Sequence, residues 1–81
     1  MQKATVKNDK RLLKLKFWRE KVGLKQDDLA VLIGCKKANY CCKERGSSEI
    51  RLSELLKIQK AINQKLEKMG EQPIGIDDLV G

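Results

Sequence analysis

Cysteine is the residue type in this sequence whose spacing first suggests chemistry. The chain has three cysteines, Cys35, Cys41 and Cys42, within eight residues and no histidine. Adjacent cysteines rarely form a disulfide because the geometry is strained, and an odd number this close together does not make a disulfide framework. A structural zinc site needs paired ligands from two separate segments, which this sequence lacks. We therefore expect reduced cysteines, no metal ion and no cofactor.

The same residues do not form a catalytic group. A nucleophilic cysteine needs a nearby base, and the sequence offers neither a recognisable base nor a glycine-rich phosphate loop. The sequence therefore predicts that the protein is not an enzyme. Cys35 is expected to be a small core residue. For Cys41 and Cys42, a redox role stays open as an alternative to an unreactive pair of thiols.

The charged residues are distributed unevenly. The 81 residues carry a net charge of +7. Residues 1–51 hold 14 Lys and Arg against 6 Asp and Glu, a net +8, whereas residues 52–81 hold 4 against 5, a net −1. Such an asymmetry is typical of a surface that contacts a polyanion, and equally of an ordinary solvated, lysine-rich surface. Neither a membrane-spanning apolar run nor a signal peptide is evident, so we expect a cytoplasmic protein.

Helical periodicity predicts the elements that carry these residues. The apolar positions of the first predicted helix are Leu12, Leu15, Trp18 and Val22. Their spacing of three or four indicates a helix over 9–22, which follows a flexible basic arm at 1–8. Gly23 is expected to end this helix, because glycine readily adopts the left-handed conformation that closes helices.

Three further helices are predicted downstream. Short helices over 26–33 and 37–45 each end at a glycine, Gly34 and Gly46. Ser53 is expected to cap a fourth, long helix that extends to about Met69. A last helical turn is predicted at residues 77–80. The expected fold is a single all-α domain over 9–81, a compact bundle of four to five helices with a C-terminal apolar tail.

The order of these elements resembles the lambda-repressor-like (Xre-type) helix-turn-helix family over about residues 12–63. The matching landmarks are Arg19, Gly23, Leu24, Gln26, Ala30, Gly34, Glu44 and Gly46. Ala30 must be small where two helices cross closely, and Gly34 relieves the short turn between them. Tyr40 replaces the family's usual aliphatic anchor. The sequence YxxKERG resembles a variant of phage-derived and mobile-element members.

The resemblance implies double-stranded DNA as the partner, with the helix over 37–45 in the major groove. By register, the candidate base-contact residues are Lys36, Lys37, Ala38, Asn39 and Cys42. Lys37 is the candidate for guanine, and Ala38 for a thymine methyl group. The candidate phosphate contacts are Lys25, Gln26, Lys43, Arg45, Ser47 and Arg51.

The sequence departs from the family at two helix starts. Most members have Ser or Thr where this chain has Lys25 and Lys36, and lysine cannot accept a hydrogen bond from exposed backbone amides. Each loss costs about 0.5–2 kcal/mol. Either the scaffold tolerates two poor caps, or the two lysines supplement the contacts with the DNA backbone.

The resemblance also implies a transcription regulator that acts as a homodimer on two half-sites. The candidate dimer interface is an apolar set at the C-terminal end: Ile62, Leu66, Met69, Ile74, Ile76, Leu79 and Val80. These residues could instead complete the core of a single chain. A protein-interaction module that keeps the fold without specific DNA binding, such as an antitoxin, an anti-repressor or an adaptor, is the alternative function.

Overall fold

A computed structural model describes residues 12–80, which form five α-helices and no strand. The helices are α1 (Leu13–Lys21), α2 (Gln26–Ile33), α3 (Lys37–Arg45), α4 (Leu52–Lys68) and α5 (Asp77–Val80). The predicted all-α bundle is confirmed. The predicted basic arm at 1–8 and the predicted first residues of the first helix, 9–11, lie outside the described residues.

Glycine ends α2 and α3, as the sequence predicts. Gly34 has a φ of +78° and Gly46 a φ of +85°, both in the left-handed region that glycine enters without a steric penalty. After α2, the N–H groups of Gly34 and Cys35 donate to the carbonyls of Val31 and Ala30. These bonds satisfy carbonyl groups that the end of the helix would otherwise leave without partners. The turn from α2 to α3 is therefore short and fully defined.

Two helix starts differ from the predictions. Leu12 has non-helical dihedral angles and α1 begins at Leu13. Arg51, rather than Ser53, occupies the N-cap of α4, which begins at Leu52. The reason is Glu54, whose Oε1 accepts the Arg51 backbone N–H at 3.0 Å. A carboxylate three residues after the cap stabilises a helix start in this way, so the predicted Ser53 cap is wrong.

The core lies where the five helices meet. Its buried members are Leu15, Leu29, Ala30, Tyr40, Ile58, Ile62, Leu66, Ile74 and Leu79. Trp18, Leu24 and Cys35 are partly buried and pack against this cluster, and for Cys35 this agrees with the predicted core position. The small side chain of Ala30, only 2% exposed, allows α2 and α3 to pack closely.

Side-chain amides hold the segment that leads to α5. The Asn63 Oδ1 accepts the Ile74 N–H at 2.8 Å, and the Asn63 Nδ2 donates to the Ile74 carbonyl at 3.0 Å. The Gln59 Nε2 donates to the same carbonyl at 2.9 Å. These bonds fix Ile74 against α4, and α5 then packs against α1. The amides also line a cleft of about 560 Å³, where their polar atoms already serve the fold.

The position of α5 changes the interpretation of the apolar C-terminal set. Ile62, Leu66 and Leu79 have no exposed surface, and Ile74 is buried as well. These four side chains fill the core of a single chain, which is the alternative to the dimer interface. A fully buried side chain offers no area to a second copy. Ile76 is partly buried against the same core, which leaves Met69 and Val80 as the exposed members of the set.

Candidate nucleic-acid interface

A buried hydrogen-bond network fastens the inner side of α3. The Glu44 carboxylate, near the end of α3, accepts Arg19 Nε at 2.8 Å and Arg19 Nη2 at 3.1 Å. It also accepts the Tyr40 hydroxyl at 2.9 Å and the Gln26 Nε2 at 3.0 Å. Tyr40 is fully buried, and Arg19 and Glu44 are nearly so. One carboxylate thus joins α1, α2 and α3, because each contributes a donor to it.

The network shifts the proton affinities of its members. Burial acts to raise the pKa of Glu44, but hydrogen bonds from Arg19, Gln26 and Tyr40 outweigh it and lower this pKa. For Tyr40, burial and the adjacent Glu44 carboxylate raise the pKa of the phenol well above its usual value. Arg19 therefore faces a charged carboxylate at neutral pH. The resulting bidentate pair has both partners more than nine-tenths buried.

The outer side of α3 carries the predicted base-contact residues. Lys36 precedes the first turn of α3, and Lys37, Ala38 and Asn39 lie in it; all four are exposed. Cys42 follows one turn later and is partly buried, with its Sγ 3.9 Å from Arg45 Nη2. The structure therefore brings four of the five residues together at one accessible helix start. Such a helix can enter a groove with its first turn leading.

Five of the six predicted phosphate-contact residues are placed where a polyanion could reach them. Lys25, Arg45, Ser47 and Arg51 are exposed. Gln26 is partly buried, and one of its amide N–H groups donates to Glu44. A glutamine amide has two N–H donors. Within residues 12–80 the second one has no partner, so Gln26 is both held in place by Glu44 and able to donate outward.

Lys43, the sixth predicted phosphate contact, is paired within the protein instead of being exposed. Its Nζ donates to the Glu49 carbonyl at 2.9 Å and pairs with the Glu54 carboxylate at 3.2 Å. The Lys43 side chain is only 15% exposed. Its charge is therefore used to join α3 to the start of α4. A backbone hydrogen bond from Arg51 and the contact with Lys43 lower the pKa of Glu54.

The two lysine caps have different surroundings. Lys25 and Lys36 are the N-caps of α2 and α3, and neither side chain makes a capping hydrogen bond. At α2, the Asp28 carboxylate accepts the Lys25 backbone N–H at 2.8 Å, which compensates in part for the missing cap. The first turn of α3 contains no acidic residue. The start of α3 therefore keeps its unpaired backbone amides at the surface, together with Lys36 and Lys37.

Two clefts are lined by residues of α1, of the start of α2 and of α3. The first, about 420 Å³, is lined by Lys16, Lys25, Gln26 and Lys37 among others. The second, about 270 Å³, is lined by Lys16, Gln26, Cys41 and Arg45 among others. Lys16 and Gln26 line both clefts, so the two clefts adjoin at these residues, and we refer to them together as the groove between α1 and α3. Cys41 lines the second cleft, whereas the sequence predicted only that it lies on the helix over 37–45.

Sequence reasoning missed two features of this surface. The first is the pairing of Arg19 with Glu44, although both are among the landmarks that carry the resemblance and their charges are opposite. The second is Lys16, which lies one helical turn before the buried Arg19 and therefore on the same side of α1. Among the described residues, no group of three His, Cys, Asp or Glu side chains is arranged to hold a metal ion. No helix within residues 12–80 is long and apolar enough to cross a membrane.

Comparisons with known proteins add no assignment. No family model, no curated protein and no solved structure matches this chain.

Proposed function

We propose that the protein is a sequence-specific double-stranded DNA-binding transcription regulator of the lambda-repressor-like (Xre-type) helix-turn-helix family. In this proposal α3 lies in the major groove and its first turn contacts base edges. Lys37 donates to a guanine, and Ala38 packs on a thymine methyl group. Lys25, Gln26 and Arg45 contact phosphates on either side, which orients the helix without specifying sequence.

One observation carries the proposal. The α2–turn–α3 pair is fixed from the inside by Glu44, while the first turn of α3 is exposed and bears Lys36 and Lys37. A helix with a buried inner anchor and an exposed, basic, uncapped start has a suitable shape and charge for a nucleic-acid groove. The net charge of +8 over residues 1–51 supports the same partner.

We propose further that two copies bind together. One recognition helix contacts only a few base pairs, and a twofold pair places two such helices about 34 Å apart, one turn of DNA. Because most of the apolar C-terminal set is buried within the single chain, the contact between copies has to use exposed residues. Met69 and Val80 are the exposed members of that set, 48% and 41% exposed.

Selection of bound sequences from a random DNA pool tests the proposal. A palindromic consensus with half-sites about 10 base pairs apart is the expected result, since it reports specificity and twofold pairing together. Lys37→Ala should weaken discrimination at one base position by about 1–3 kcal/mol. Lys60→Ala, an exposed lysine on α4, is the matched control and should leave the consensus unchanged.

Salt dependence separates the proposal from the alternative function. A DNA-binding protein should lose affinity steeply as salt rises, and it should keep a preference for the selected sequence over random DNA. If the protein binds no DNA sequence better than a generic basic protein does, the proposal fails. The interaction-module alternative would then remain.

A further inference from the structure

The groove between α1 and α3 carries charges that the fold does not use. Lys16, Lys25, Lys37 and Arg45 line it, all four are exposed, and none forms an ion pair with a carboxylate of residues 12–80. Lys43, in contrast, is paired with Glu54. The four cations that line the groove thus have no carboxylate partner within residues 12–80, whereas Lys43, which does not line it, has one.

The carboxylates of the groove do not cancel this charge. Glu44 is paired with the buried Arg19, so these two charges offset each other. Glu20 and Asp27 also line the first cleft. Glu20 lies 3.7 Å from Arg19 Nη2, and Asp27 is exposed in the first turn of α2. Four cations thus face two carboxylates along the groove, a net charge of +2.

Lys16 is the one exposed cation that the two clefts of this groove share. It borders both clefts together with Gln26, the residue that Glu44 holds at the start of α2. Lys37 and Lys25 border one cleft, and Arg45 borders the other. A DNA backbone that ran from one cleft to the other would therefore pass Lys16.

We infer that this groove holds the phosphodiester backbone of one DNA strand and that Lys16 is its central contact, contributed by α1. The inference rests on the proposed function and deepens it, because it names a contact outside the helix-turn-helix segment. In this inference Lys16 replaces Lys43 among the phosphate contacts, because the charge of Lys43 is already paired with Glu54. The partner is double-stranded DNA, and the contact is to the sugar-phosphate backbone, so it is independent of base sequence.

The expected size of the effect follows from counterion release. Each neutralised phosphate of B-DNA contributes about 0.9 to the slope of log K against log salt. At about 0.15 M salt this corresponds to a factor of about five in affinity for each bound subunit. Lys16→Ala should therefore lower affinity about fivefold per subunit and reduce the slope by about 0.9 per subunit, equally for specific and random DNA.

The test compares variants of two lysines on the same helix. Lys14 is exposed on α1 but lines neither cleft, so Lys14→Ala removes the same charge outside the groove. Affinities of the full chain for its selected duplex are measured over a range of salt concentrations. Lys16→Arg should retain the wild-type slope, because the charge is kept. Thermal unfolding of each variant checks that the fold is unchanged, as expected for exposed residues.

Neutral methylphosphonate linkages then locate the contact. Each phosphate of the duplex is replaced in turn, and the position that weakens wild-type binding but not Lys16→Ala binding is the one that Lys16 touches. Such a position, together with a reduced slope for Lys16→Ala alone, supports the inference. If Lys14→Ala and Lys16→Ala reduce the slope equally, or if no methylphosphonate separates wild type from Lys16→Ala, the inference is overturned while the proposed function stands. If the wild-type protein shows no sequence-specific binding, both are overturned.

Discussion

Removal of the Tyr40 hydroxyl group should destabilise the protein measurably. Tyr40 is fully buried, and its hydroxyl group, the only polar group of the side chain, donates to Glu44 Oε2 at 2.9 Å. Tyr40→Phe keeps the ring, so no large cavity forms, but Glu44 loses one of its four hydrogen bonds. A hydrogen bond to a charged group contributes about 1.5–3 kcal/mol. For a domain of this size, that loss lowers the melting temperature by about 6–24 °C.

The same residue gives a second, independent readout at alkaline pH. The pKa of Tyr40 is raised in the folded protein. Its contribution to stability is therefore fully present below the unfolded pKa, about 10, and is lost as pH rises above it. Wild-type protein should lose stability over this range more steeply than Tyr40→Phe does. Other groups that titrate there, such as lysines, are common to both proteins.

The assay is simple because the chain has one tyrosine and one tryptophan. Ultraviolet absorbance of the phenolate reports ionisation of Tyr40, and fluorescence of Trp18 reports unfolding. We expect the two to change together, since the buried phenol ionises only when the protein unfolds. A phenolate that forms near pH 10 while the fluorescence is still native would contradict the burial of the Tyr40 hydroxyl group. A change in melting temperature below about 2 °C for Tyr40→Phe would refute the assigned hydrogen bond energy.

Three further predictions concern stability, each measured by urea or thermal unfolding. The pKa of Glu44 is lowered on folding, so its contribution is present above about pH 4.3 and should be lost on acidification; Glu44→Gln should be less stable at pH 7 and show a shallower acid loss. Gly34→Ala should cost about 1–2 kcal/mol through its φ of +78° alone, since no atom beyond the adjoining chain lies within 4 Å of the added carbon, and Gly34→Asn should cost less. Leu79→Ala should cost about 2–5 kcal/mol because it empties core volume, and Val80→Ala, at an exposed neighbour, should cost far less. Equal losses for these last two variants would contradict the position of α5.

The parts of the fold that sequence predicts well are those with strong local signals. The bounds of α2 and α3 agree with the prediction because Gly34 and Gly46 stop both helices sharply. The start of α4 was harder to predict, since a serine two positions into the helix imitates a cap. The true cap, Arg51, has no capping side chain and depends on Glu54 instead. Local sequence patterns favour side-chain caps and so misplaced this start by two residues.

The apolar C-terminal set shows a different limit. Periodicity identifies an apolar face on α4 but not what covers it, because a second copy and the chain's own C-terminal segment bury the same kind of surface. The deciding bonds are those of Asn63 with the backbone of Ile74, eleven residues away.

The position of Lys16 could not be predicted for a related reason. Its position beside Gln26 depends on how α1 packs, which sequence spacing within one helix does not report.

The position of the Glu44 network leaves the outer face of α3 without structural duties. Within residues 12–80, the side chains of Lys36, Lys37, Ala38 and Asn39 make no hydrogen bond, whereas those of Glu44 and Lys43 join α3 to the neighbouring helices. Substitutions on the two faces should therefore have separable consequences, as at independent sites. The outward residues of α3 can therefore be exchanged during evolution without loss of stability. The surface that α3 presents can change in this way while the fold stays the same.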